Sequence, residues 1–128
     1  MTYHFTKTLD VPFDEAIAKT TAALKERGFG VLTTIDVKDT LKKKIGVDFR
    51  PYTILGSCNP GFAHKALLAE PMIGTMLPCN VIVQQGDNGK VQVSAVDPAA
   101  SMAAIENPAL ETIAGEVRGM LKDMIESL

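Results

Sequence analysis

The run YTILGSCNPGFAHKALLAEPMIGTMLPCNVIV, from Tyr52 to Val83, decides the fold. Its first seven residues are aromatic, β-branched and apolar and read as a strand. Asn59-Pro60 then opens a helix. The asparagine caps free amides, and proline at the first helical position gives up an N–H that had no partner. That helix covers PGFAHKALLAE and stops at Pro71. MIGTMLP is an apolar connector, a short helix or turn lying on the core, and CNVIVQQ is the next strand. A strand, a helix and a second strand in so short a space place the ends of the two strands, Cys58 and Cys79, side by side if the helix returns the chain to its starting edge.

Reading outward towards the N-terminus, YHFTKTL alternates with period two and is a first strand. DVPFDEAIAKTTAALKERG carries a helical stripe of Phe13, Ile17, Thr20 and Leu24, widened by Ala16 and Ala23. Asp14 and Glu15 lie in its first turn, Lys25 and Arg27 in its last, and Gly28 just beyond. GVLTTI is a second strand. Asp36 caps the short helix VKDTLKKKIG, whose Val37, Leu41 and Ile45 share one face, and Gly46 ends it. Pro51 at the head of the third strand points to an edge strand or a strand start.

Towards the C-terminus, GDNG (Gly86 to Gly89) joins CNVIVQQ and KVQVSAV as a hairpin. Asp97-Pro98 and Asn107-Pro108 repeat the Asn59-Pro60 signal. They open a short helix, PAASMAAI, and a long one with a stripe of Leu110, Ile113, Ala114, Val117, Met120, Leu121, Met124 and Ile125. The hairpin makes at least one strand pair antiparallel. The expected fold is α+β in two layers: a curved antiparallel sheet of about five strands, covered on one face by two long helices and some short ones, in a single domain over 1–128.

Composition narrows the function classes. The 128 residues are 46% hydrophobic and 22% charged, so the chain can build a core without disulfides or a metal. The net charge of -2 lacks the basic excess of a general nucleic-acid binder. No apolar run nears the roughly 18 residues of a membrane helix, and MTYHFTKTLD has no signal-peptide core. The expectation is a cytoplasmic protein with reduced thiols, no nucleic acid and no membrane. No Ser-His-Asp set, phosphate loop, dinucleotide fingerprint or catalytic carboxylate pair stands out.

GFGVLTTIDVKDTLKKKIGVDFRPYTILGSCNP (28–60), followed by AHKALLAEP, IG, LPCNVIV and VSAVDP, resembles the domain of unknown function 302 family, and the likeness runs from Tyr3 into the last helix. The resemblance implies a TATA-binding-protein-like fold related to the helix grip, and a homodimer. It implies no activity.

The chemistry to be looked for centres on Cys58 and Cys79, each followed by an asparagine, with His64 between them. Cys58, Asn59, His64, Cys79, Asn80 and Lys43 are the candidate ligand-binding residues. Cys58, His64 and Cys79 form a candidate soft or borderline metal site, for zinc or Cu(I), with an open fourth position. The spacings, Cys-x5-His and His-x14-Cys, match no standard zinc pattern. Helix-end amides next to Cys58 favour a thiolate, which admits a thiol-dependent enzyme or sulfur-handling protein. Against both stands the ordinary role of free cysteine as a small buried hydrophobe, in a domain that only contacts other proteins. Asn59 has the simpler role of helix cap. Lys38, Lys42, Lys43 and Lys44 with Arg50 are either a solvated helix face or a patch for a small anionic ligand, the latter if they border the Cys58 end of the sheet. His4 is a surface or interface position, and the methionines mostly fill the core, with Met72 and Met76 placed to line a groove or a dimer contact.

Overall fold

The structure, a computed structural model, describes residues 2–128. Five strands form one open sheet: β1 (His4–Leu9), β2 (Gly30–Asp36), β3 (Tyr52–Cys58), β4 (Cys79–Gln85) and β5 (Val91–Val96), in the order β1-β5-β4-β3-β2 with every pair antiparallel. Helix α1 (Phe13–Glu26) carries the chain from one edge of the sheet to the other. Helix α2 (Val37–Ile45) links β2 to β3. Helix α3 (Pro60–Ala69) and a 3-10 turn (Pro71–Met76) link β3 to β4. Helices α4 (Pro98–Ser101) and α5 (Pro108–Ser127) complete the chain. The α+β class and the five antiparallel strands are as the sequence predicts.

Side chains alternate across the sheet, so one face is apolar and covered. Leu55 of β3, Val81 and Val83 of β4, and Val91, Val93 and Ala95 of β5 are buried against the helices. From α1 they meet Ala16, Ala23 and Leu24, and from α5 Val117, Leu121, Met124 and Ile125. A second, smaller cluster of Ala66, Ile73, Met102, Leu110 and Ala114 lies where α3, the 3-10 turn, α4 and α5 meet. Lys7 reaches from β1 to the last turn of α5. Its Nζ donates to the Glu126 carbonyl at 3.0 Å and to that of Leu128, satisfying acceptors the helix end leaves free.

The three Asx-Pro pairs all open helices. The Asn59 Oδ1 accepts from the Phe62 amide, Asp97 Oδ1 from Ala99 and Ala100, and Asn107 Oδ1 from Leu110. Asp36 caps α2 through the Asp39 amide at 2.9 Å, and Gly46 ends that helix at φ 69°. Two local expectations change. Pro51 precedes an interior strand, since β3 lies between β4 and β2, so it marks a strand start and no edge. Helix α4 stops at Ser101 instead of continuing to Ile105. Met102 turns into the smaller cluster, and Asn107 must be extended ahead of Pro108, which ends the helical run early.

Candidate functional site

Ser57 and Cys79 lie opposite each other in the β3–β4 ladder, and the Ser57 hydroxyl donates to the Cys79 carbonyl at 2.8 Å. Cys58 is the last residue of β3 and Cys79 the first of β4, so both thiols sit at one end of the sheet. Asn59 follows at the head of α3. Besides capping that helix, its Nδ2 donates to the Arg27 carbonyl at 3.5 Å, tying α3 to the end of α1. The contact depends on Gly28, whose φ of +81° suits glycine and where a Cβ would come within 3.2 Å of the Asn59 amide nitrogen.

Above this sheet end is a recess. Its walls are Phe62, Ala63 and Ala66 of α3, Leu110, Ile113, Ala114 and Val117 of α5, Met102 and Pro98 beside α4, Leu77 and Pro78 ahead of β4, and Phe29. Ser57, Cys58, Asn59 and Cys79 complete the lining. Counted out to its open mouth it encloses about 450 Å³, of which about 40 Å³ stands far enough from wall atoms to admit the centre of a water-sized molecule. Its lining contains no Asp, Glu, His, Lys or Arg.

The two cysteines are free and half-buried. Burial, and secondarily the neighbouring Cys58, push the Cys79 thiol up to about 11 from an ordinary 9.0. Cys79 therefore keeps its proton at neutral pH, the reverse of what an activated nucleophile needs.

The structure brings Cys58, Asn59 and Cys79 together and separates the other candidates from them. His64 is exposed on α3 and does not line the recess, where the helix presents Phe62, Ala63 and Ala66. Among the described residues there is no group of three His, Cys, Asp or Glu side chains placed to hold a metal ion. Asn80, one residue on from Cys79, turns to the uncovered face of the sheet, beside Tyr52, Ile82 and Gln84. Lys43 lies at the other end. β2 starts opposite Cys58 and finishes opposite Thr53, and α2 follows it, so roughly 20 Å of strand separates the lysine face from the thiols. There Lys43 pairs with Asp39 at 2.9 Å, and that hydrogen bond raises its already high affinity for a proton. Sequence reasoning placed the methionines mostly in the core and read α5 as an amphipathic stripe, gave Phe29 no role, and missed that Phe29, Met102 and the α5 residues wall a recess. The available signal was three alanines, Ala63, Ala66 and Ala114, at positions where larger side chains would have closed it.

Residues 5–128 match the family described as Domain of unknown function DUF302. The chain belongs to the DUF302 family. It is also similar to a solved structure, the crystal structure of an uncharacterized conserved protein DUF302 from Bacillus stearothermophilus, at 31% identity and a TM-score of 0.91, covering 98% of each chain. No curated protein matches the chain. A DUF302 likeness over 98% of both chains takes in the short helices around the recess as well as the sheet. No helix of this DUF302 chain is long and apolar enough to cross a membrane among the described residues.

Proposed function

We propose that this DUF302 chain is a binding module that takes a small, predominantly apolar molecule in the recess between α3, α5 and the β3–β4 ends. The observation that carries the reading is the chemistry of the lining. The walls are aliphatic and aromatic, and the polar side chains at the rim are already engaged: Ser57 with the Cys79 carbonyl, Asn59 with Arg27 and the α3 amides. Only the two thiols are uncommitted. The enclosed volume of the recess, about 40 Å³, is well below the roughly 300–1,000 Å³ of fully preformed ligand pockets. It is also smaller than the about 150 Å³ cavity that accepts benzene in an engineered protein, so an occupant of that size would displace a flexible wall residue such as Met102. A lining without cations gives an anion no partner, and a lining without a carboxylate or imidazole gives Cys79 no base.

Titrating benzene into the methyl-labelled protein tests this. Methyl shifts confined to Ala63, Ala66, Met102 and Ala114, abolished when Ala114→Leu fills the space, support the reading. Shifts that are absent up to the solubility of benzene, or scattered over the surface, refute it.

A second reading has one observation in its favour, the two thiols on one recess. Soft Cu(I) binds to thiolates, whereas a zinc site uses at least three protein ligands. Binding of one Cu(I) per chain that is lost in both Cys58→Ser and Cys79→Ser would support this reading, and competition no stronger than that of an exposed thiol would end it.

A further inference from the structure

The face of the sheet turned away from α1 and α5 carries an open cleft of about 570 Å³, inside the roughly 300–1,000 Å³ of ligand-binding clefts. Cross-strand pairing sets its floor in two rows. Thr6, Ser94 and Ile82 are successive partners on β1, β5 and β4, and Gln92, Gln84 and Tyr52 on β5, β4 and β3, with neighbouring strands about 4.8 Å apart. Tyr3, His4 and Asn80 lie at one end. The chain has 13 Lys and Arg and 15 Asp and Glu, residue types that belong on exposed surface, yet none of the described ones lines this cleft. Both tyrosines of the chain do. A line of hydrogen bonds crosses the floor, His4 Nδ1 to Thr6 Oγ1 at 2.6 Å and Thr6 Oγ1 to Ser94 Oγ at 2.8 Å. Ser94, only 8% exposed, stands at its inner end. Each hydroxyl has one proton, so the imidazole sets the direction of the line. With the imidazole proton on Nε2, Thr6 donates to His4 and Ser94 to Thr6, and Ser94 offers the cleft its lone pairs. With that proton on Nδ1 both bonds reverse, and the Ser94 proton is free to donate. Asn80 and Gln92 add exposed amides. Arg50 stays outside the lining: its Nε donates to Gln84 Oε1 at 2.9 Å, and its guanidinium lies 4.4 Å from the centre of the Phe49 ring.

We propose that this cleft is a second binding site, taking a neutral polyhydroxylated molecule the size of a mono- or disaccharide. A sugar hydroxyl donates and accepts at once, which suits side-chain amides and a hydroxyl line that can run in either direction. The C–H face of a sugar ring suits Ile82, Val96 and the tyrosine rings, which present an apolar body with a polar tip. A lining without Lys or Arg gives an anion no countercharge, and it lacks the positively charged groove that holds single-stranded nucleic acid. The inference is independent of the recess, which lies among the helices on the other face.

Tyrosine fluorescence tests it, because the chain has no tryptophan and both tyrosines border the cleft. D-glucose, D-galactose, maltose and cellobiose are titrated separately into the full chain, with sodium gluconate as the anionic control. At least one sugar is expected to saturate the signal with a Kd on the order of 1 mM, and to shift the side-chain amide resonances of Asn80, Gln84 and Gln92. Gln92→Ala and Ser94→Ala are each expected to weaken that Kd about tenfold. Gln92 is exposed, so its variant keeps the fold. Ala114→Leu, which fills the recess, is expected to leave the titration unchanged. No saturation by any of the four sugars up to about 100 mM overturns the proposal. So does saturation that survives both cleft variants, gluconate binding as tight as that of the sugars, or shifts that fall in the recess. Two further results overturn it by naming another occupant. Shifts on this face that follow protein concentration without sugar assign it to a second copy, and a salt-sensitive response to oligothymidylate that is lost in Gln92→Ala assigns it to a single strand.

Discussion

The state of Cys79 separates a binding recess from a thiol enzyme, and it can be titrated directly. In Cys58→Ser, Cys79 is the sole cysteine. With its thiol at about 11 against an ordinary 9.0, the thiolate fraction at pH 8 falls by about a hundredfold, to about 0.1%. Alkylation by iodoacetamide, followed by mass spectrometry from pH 7 to 11, should run about a hundred times slower than in urea and keep rising past pH 10. Burial is the larger cause of the shift, so most of it should persist after Cys58 is removed. Stability gives a second reading of the same number. The folded state holds the proton more tightly than the unfolded state, so the contribution is fully present below pH 9, where both are protonated. It is lost as pH rises from about 9 to about 11, where only the unfolded chain has shed its proton. The wild type should lose about 2–3 kcal/mol across that window relative to Cys79→Ala, read from urea melts. An alkylation midpoint below 9 would refute the reasoning and favour the thiol-dependent reading.

Other substitutions probe the frame around the recess. Asn107→Ala removes the cap of α5 and also the bond from Asn107 Nδ2 to the Ala69 carbonyl at 2.8 Å, and should cost about 1–3 kcal/mol in a denaturant melt. Gly56→Ala puts a Cβ 2.2 Å from Thr33 Oγ1 and 2.9 Å from the Pro78 ring, so overpacking of about 1–3 kcal/mol is expected; Gly56→Ala with Thr33→Gly should recover part of it by melting temperature. Leu121→Ala in the core should cost about 2–5 kcal/mol, whereas Leu68→Ala on the exposed side of α3 should stay within about 0.5 kcal/mol.

What the sequence showed and what it hid divide along physical lines. Caps and turns are local. Asn59-Pro60, Asp97-Pro98, Asn107-Pro108, Asp36 and Gly46 each satisfy a few neighbouring backbone groups, so reading them needs no knowledge of the rest of the chain. The site depended on helical phase, and there α3 gives no clear pattern. FAHKALLA is apolar around most of its circumference, and the usual expectation turns its leucines inward. The structure turns Phe62, Ala63 and Ala66 inward and leaves Leu67 and Leu68 exposed. That one rotation carries His64 away from the thiols and opens the recess between alanines. The position of Lys43 was hidden for a different reason. Which end of the sheet α2 occupies follows from β2 pairing with β3 at an edge, a long-range fact with no local mark.

Helix N-termini ordinarily attract anions or water, yet α3 and α4 both begin at the end of the sheet where the recess is apolar. The caps reconcile these facts. Asn59, Asp97 and Asn107 each occupy the amides that an anion would seek, and the Asn107 side chain also closes the last turn of α3. Asp97 brings a charge, but Arg118 on α5 meets it with Nε to Oδ2 at 3.0 Å, so the pair adds little net field. No buried side-chain polar atom among the described residues lacks a partner. The end of the sheet is thus polar in its backbone and apolar in its recess, because side chains already supplied by the three Asx-Pro pairs do what a bound anion would otherwise do. An apolar occupant loses nothing by entering such a space. An anion would have to displace a cap, at a cost of about 1 kcal/mol or more in helix stability, before making its first hydrogen bond.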